Sequence, residues 1–372
     1  MVWGEKLAFS DFSTVFSANK SCALRQFFFA LDFLRATEEF KTAELQRYLK
    51  CGYDKVRKTI DALIALSIIE EIAGERPSKY KRIADMMPSV AKSARLGEFQ
   101  KIPLEEAIES EEFKNSEYKI PIVIGYDEHN NLLIDDLSRA PHILVGGVAG
   151  SGKSIFLQNV ITCLTSRFTE DAMRLVLFDL KRVAFGHAKN LPHLCEEVVT
   201  DEDDAIRVLE KLVNIMNERR NTMQSAGVQP FLNCHGTHGI DEYNAKCSLH
   251  FSRIAVIFDE YAELAMGNKR AEKMVLELLA HGHGVGMHLI LASQRTSDEI
   301  FPSIMRAIVP TRAVLRVASK EDSFTMLGSL GAEKLPEYFG EMMYSSIWMG
   351  GKPIKVKVPY ISEKKMLTLV KR

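Results

Sequence analysis

Eight consecutive residues constrain this chain more than any other feature. Gly147, Val148, Ala149, Gly150, Ser151, Gly152, Lys153 and Ser154 match the pattern G-x-x-x-x-G-K-[ST] in full. Such a loop works where it leaves a buried strand and enters a helix, because its backbone N–H groups curl around phosphate oxygens while the positive end of the helix dipole adds to the site. The flanks comply: Ile143-Leu144-Val145 is a short apolar run before the loop, and Ile155 to Ser166 continue as an apolar-periodic helix. Lys153 is expected to neutralise the β and γ phosphates and the Ser154 hydroxyl to reach Mg²⁺, so ATP and Mg²⁺ are the expected cofactors. The expected fold class is α/β, a RecA-like P-loop NTPase core whose mostly parallel sheet is flanked by helices.

Further apolar runs fit that sheet. Ile254 to Phe258 ends in Asp259-Glu260, where phosphoryl transfer needs an Asp to organise Mg²⁺ and a Glu to polarise the attacking water. Leu175 to Phe178 ends at Asp179, and His288 to Ala292 leads to Gln294, a candidate γ-phosphate sensor, because parallel sheets place ligands at the carboxyl ends of their strands. Ala313 to Val317 supplies a fifth run.

Length and charge set the rest of the organisation. The 372 residues suggest two or three domains, and 46% hydrophobic with 26% charged residues excludes a disordered tail or a disulfide scaffold. The formal charge of -1 excludes a histone-like polycation. Residues 1–96 nevertheless hold 16 basic against 12 acidic side chains, so the basic excess lies at that end. The expected division is a winged-helix domain over 1–95, a connector over 96–140 and the ATPase motor over 141–372. The six cysteines are scattered, no signal-peptide layout opens the chain and no apolar stretch is long enough to span a bilayer, so a cytoplasmic protein without membrane insertion of its own is expected.

Within the basic region, Cys22 to Ala36 reads as a helix, Thr42 caps a short helix bearing Leu45 and Leu49, Gly52 breaks it, and a second amphipathic helix runs from Tyr53 to about Leu66. Ile68 to Ile72 and Lys79 to Ile83 read as a hairpin. Helix, turn, helix and wing place Arg47, Lys55, Arg57 and Lys58 on the recognition side and Lys79, Lys81 and Arg82 on the wing, where DNA phosphates would be met. A charged face used for protein contacts is the alternative. Cys234, His235, His238, Cys247 and His250 are zinc-type ligands by residue, but their spacing fits no standard finger.

Two resemblances add to this. Gln46-Arg47, Gly52-Tyr53, Ile60, Leu63 and Ile68-Ile69 resemble the C-terminal gamma domain of FtsK-type DNA translocases, a winged helix that reads orienting DNA sequences, here placed ahead of the motor. From about Ile102 to Ile361 the chain resembles the FtsK/SpoIIIE motor, with Ala140-Pro141-His142, Asp179-Leu180-Lys181, Leu191-Pro192-His193-Leu194, Glu218-Arg219-Arg220, Gly286-Met287-His288, Ser293-Gln294-Arg295 and Pro310-Thr311-Arg312 in order. The resemblance implies a hexameric ring that moves double-stranded DNA by ATP hydrolysis, with sites at subunit interfaces and a cation supplied in trans, for which Arg312 and Arg316 are the candidates. His283 stands where that family usually has Arg, and His142 and His193 are expected to pack. A conjugation or packaging coupling ATPase, whose winged helix binds a partner protein or origin DNA, is the alternative function, and a separate partner would tether either motor to a membrane or machine. A DNA-binding regulator with a non-turning P-loop is opposed by the intact Lys153, Asp259 and Glu260.

Overall fold

The computed structural model describes residues 30, 39–49, 53–65, 69–71, 79–82, 102–230, 239–336 and 340–370. The chain separates into two units, Met1–Gln100 and Lys101–Arg372. The expected helix over Cys22 to Ala36, Ala30 excepted, and the residues Cys234, His235 and His238 lie outside the described residues.

The first unit contains strand β1 (Glu39–Lys41), helix α1 (Thr42–Leu49), helix α2 (Tyr53–Ala65) and strands β2 (Ile69–Glu71) and β3 (Lys79–Arg82). Val56, Ile60 and Leu63 fall on one side of α2 and are buried with Leu45 of α1, as three- and four-residue spacing requires. The strands form an antiparallel sheet in the order β1-β3-β2. Its first strand has a single apolar residue, Phe40, which stacks on its register partner Tyr80 with ring centroids 5.6 Å apart.

The second unit is built on a nine-stranded sheet. Strands β4 (Pro121–Tyr126), β5 (Leu132–Asp136), β6 (Ile143–Gly146), β7 (Met173–Phe178), β8 (Arg253–Phe258), β9 (Met287–Ser293), β10 (Arg312–Val314), β11 (Glu341–Ser345) and β12 (Ile354–Lys357) lie in the order β5-β4-β12-β11-β10-β6-β9-β8-β7. The run from β10 to β7 is parallel, and the other four strands extend it antiparallel. Strand side chains alternate between faces, so each parallel strand feeds two cores. Val176, Phe178, Val256, Phe258, Leu289 and Leu291 join one cluster with helices α4 (Glu202–Ser225), α5 (Tyr261–Gly267) and α6 (Lys269–His281). Leu175, Leu177, Ala255, Ile257, Ile290 and Ala292 join the other with α3 (Lys153–Arg167).

Residues 121–136, within the range 96–140 expected as a connector or entry segment, are two strands of the main sheet: Ile122, Val123 and Ile124 are buried and β4 pairs with both β5 and β12. Burial of that apolar run outweighs any linker role. Among the described residues no helix is long and apolar enough to cross a membrane.

Candidate nucleotide site

Sheet register assembles the site. Gly146 at the end of β6 is level with Ser293 at the end of β9, and Phe258 at the end of β8 is level with Leu291. The P-loop, Asp259-Glu260 and Ser293-Gln294 therefore leave the sheet side by side, where the chain passes from one side of β6 to the other. Open α/β sheets bind ligands at such a switch point.

Backbone bonds seat the loop: Gly147 N–H donates to the Ser293 carbonyl (3.2 Å), and Val148 N–H to the Arg316 carbonyl (2.9 Å). A Cβ on Gly147 would lie 2.6 Å from Ser151 Oγ, and Gly152 caps α3 at φ 104, so the tight curl requires glycine at both. Ser151 Oγ is buried and has no hydrogen-bond partner among the described residues. Lys153 Nζ donates to Asp259 Oδ1 at 2.8 Å and also to the Asp259 carbonyl, with both side chains buried. Ser154 Oγ lies 3.1 Å from the same Oδ1. A hydroxyl and a carboxylate converging beside an ammonium make a hard-oxygen donor set, so these residues fit Mg²⁺ with nucleotide phosphates.

Glu260 is buried beside them. Its Oε1 accepts from Ser293 Oγ (2.6 Å) and from the Gln294 backbone N–H (3.0 Å), while Oε2 faces Lys181 Nζ at 3.3 Å. Lys181 also lies 3.4 Å from Glu263 Oε1. Burial alone would lower the Lys181 ammonium, but Glu260 and Glu263 outweigh it and hold it above its ordinary value. Ser293, Lys181 and Glu263 were not singled out from sequence as site residues. The available signal was Lys181 standing two residues beyond the strand that ends at Asp179.

Asp179 is not aimed at a ligand. Its buried carboxylate accepts backbone N–H bonds from Val183 (3.1 Å), Ala184 (2.9 Å) and Phe185 (2.9 Å), fixing the loop that presents Lys181. Arg312 is buried, with Nε on the Met326 carbonyl (3.0 Å) and its terminal nitrogens on the Thr311 (3.2 Å) and Arg306 (2.5 Å) carbonyls. Burial, with Arg306 nearby, pushes it down to about 10. Arg316 is half-buried beside the P-loop. His142 is buried and accepts from Leu289 N–H at Nδ1 (2.9 Å), and His193 Nε2 meets the Phe168 carbonyl (2.8 Å). His283 packs edge-on against His142 with centroids 6.4 Å apart. Burial and His281 hold it below its ordinary value.

In the first unit, Arg47 on α1 and Arg57 on α2 are exposed, whereas Lys79 is held by Glu39 at 2.6 Å. Lys55 and Lys58 are on α2, and Lys81 and Arg82 on β3. Among the described residues, no group of three or more His, Cys, Asp or Glu is arranged to hold a metal.

The FtsK/SpoIIIE family model matches residues 103–334. The DNA translocase FtsK of Chlorobaculum tepidum is 33% identical over 272 residues, 70% of this chain and 32% of that protein. That of Haemophilus influenzae is 32% identical over 293 residues, 73% of this chain and 54% of that one. The chain thus spans about a third to about half of these relatives' length. Among solved structures, the monomer form of the pCW3 conjugation coupling protein TcpA with ATPγS is similar at a TM-score of 0.60 and 23% identity, covering 85% of this chain and 86% of that one.

Proposed function

The chain belongs to the FtsK/SpoIIIE family of P-loop ATPases, and on that membership we propose that it hydrolyses ATP to move double-stranded DNA through a ring of its own copies, a hexamer. The observation that supports this most is the meeting of Lys153, Ser154, Asp259 and Glu260 at one edge of the sheet. Lys153 supplies the cation for the β and γ phosphates, and Ser154 and Asp259 hold Mg²⁺. When bound with ATP, Mg²⁺ supplies charge neutralisation across the transferring phosphoryl group. Glu260 orients the attacking water, and Gln294 is the γ-phosphate sensor.

A cation from the neighbouring copy completes the site. Arg316 suits that role better than Arg312, because withdrawing Arg312 would strand three backbone carbonyls. The first unit binds DNA as a winged helix, a reading supported by helices α1 and α2, the paired strands β2 and β3 and the exposed Arg47 and Arg57.

ATP turnover with and without linear duplex DNA tests the proposal. Wild type should be stimulated by DNA, while Lys153→Ala should lose turnover and Glu260→Gln should hold ATP without cleaving it. Equal turnover by wild type and Glu260→Gln would remove Glu260 as the water-orienting group, and absence of DNA stimulation would remove the translocase.

A second reading, a conjugation or packaging coupling ATPase, is favoured by one observation: the chain and the conjugation coupling protein TcpA match over nearly their whole lengths. In that case the first unit binds a partner protein or origin DNA. Failure of residues 1–100 to bind random duplex at low salt, with binding to such a partner, would select it.

A further inference from the structure

Lys181 stands between two carboxylates of unlike surroundings. Its ammonium is 3.3 Å from Oε2 of Glu260 and 3.4 Å from Oε1 of Glu263, and the side chains of Glu260 and Glu263 are 2% and 50% exposed. Glu263 lies one backbone turn after Glu260, its N–H directed at the Glu260 carbonyl. One cation therefore serves both groups. Oε1 of Glu260 accepts from Ser293 Oγ and from the Gln294 N–H, which also reaches Oε2 at 3.2 Å, so Lys181 occupies the remaining acceptor position of Oε2, where water would bond. A cation at that oxygen lowers its power to draw a proton from water.

We infer that Lys181 is a positioning residue that restrains Glu260 before hydrolysis, and that Glu263 relaxes the restraint by sharing the same ammonium. This rests on the reading of Glu260 as the group that orients water. The asymmetry in exposure gives the device its direction. Buried Glu260 has no water to replace a lost partner, whereas Glu263 is hydrated whether Lys181 is near or not. The ammonium, itself 34% exposed, is within reach of an outside anion such as a DNA phosphate. Drawing it outward would release Glu260 without moving the P-loop, and Asp179 keeps the backbone of the Lys181 loop fixed meanwhile.

The test is steady-state ATP turnover of the full chain, with and without linear duplex DNA, in four variants. Lys181→Met should raise DNA-free turnover about three- to fivefold, the scale of a part-exposed ion pair, and shrink the stimulation by DNA in proportion. KM for ATP should stay within about twofold, because Lys181 meets neither the P-loop nor Asp259. Lys181→Arg should keep DNA-free turnover low, and Glu263→Gln, which leaves the ammonium to Glu260 alone, should lower it. A fall in turnover for Lys181→Met would mean that Lys181 assists Glu260, and would overturn the inference, as would no change in both Lys181→Met and Glu263→Gln. Normal turnover in Glu260→Gln would instead defeat the underlying reading of Glu260.

Discussion

Replacing Lys153 by Ala should damage more than catalysis. The ammonium and the Asp259 carboxylate are 2.8 Å apart, with side chains 5% and 4% exposed, so the substitution strands a buried negative charge. Breaking a buried pair from one side costs about 3–5 kcal/mol. Asp259 keeps its bond from Ser154 at 3.1 Å, which argues for the lower end of that range, about 3 kcal/mol. For a unit running from Lys101 to Arg372, that is a fall in Tm of roughly 5 °C. The assay is thermal unfolding without nucleotide of wild type, Lys153→Ala, Asp259→Asn and the double variant. Asp259→Asn alone should also destabilise, because it leaves the ammonium buried. Both changes together should recover at least half of the loss from Lys153→Ala, since neither charge then remains. A fall below about 2 °C for Lys153→Ala, or a double variant no more stable than either single, would refute the buried-pair reasoning.

Three further expectations are independent of it. Asp179→Ala should cost about 3 kcal/mol in denaturant unfolding, because it leaves the N–H groups of Val183, Ala184 and Phe185 without their acceptor; an unchanged midpoint would show those bonds are not formed in solution. Burial, with His283 adding, pushes His142 down to about 3, so its contribution is present above its unfolded value near 6.5 and lost as pH falls toward 3, with about 2 kcal/mol gone at pH 5. His142→Asn keeps an acceptor for Leu289 N–H but cannot titrate, and its stability should fall less steeply than that of wild type between pH 6.5 and 5; equal slopes would count against the assignment. Arg57→Ala, at an exposed position on α2, should make the log-log salt dependence of duplex binding shallower by about one unit, and an unchanged slope would take Arg57 off the phosphate backbone.

The elements legible in the sequence are those whose residue types are forced by chemistry or by period. The P-loop admits few alternatives, and the parallel strands read as apolar runs because both of their faces are covered. What was not legible depends on partners far along the chain. The pattern of Pro121–Tyr126 is that of a buried strand, but its role as part of the main sheet depends on β12, more than 200 residues later. Arg312 at a strand end looks available for a neighbour, yet its guanidinium turns inward to carbonyls left over where nearby helices and loops end. Asp179 sits where a ligand-binding residue would sit, but the turn that follows presents three N–H donors that claim its carboxylate first. Strand β1, with one apolar residue among three, has no periodic signal; it is held by pairing to β3.

The place of β6 in the sheet also governs how this protein can be made. That strand, Ile143–Gly146, is flanked by β9 and β10, which end at Ser293 and Val314. A ribosome adding about 5–20 residues per second needs on the order of ten to thirty seconds to make the intervening chain. Throughout that interval the strand that leads into the P-loop has neither of its neighbours, and its four apolar or glycine positions, all buried in the finished sheet, face solvent or whatever else will cover them. On the proposed reading, nucleotide cannot rescue the nascent second unit early, because Asp259 and Ser293 come together with the P-loop only once β8 and β9 are in place. The described strands of the first unit, β1, β2 and β3, pair with one another and are under no such delay. Synthesis therefore lets the described strands of the first unit pair early and closes the sheet of the second unit late, and a chain cut short before Met287 would expose an unpaired β6, a form suited to aggregation or to chaperone capture.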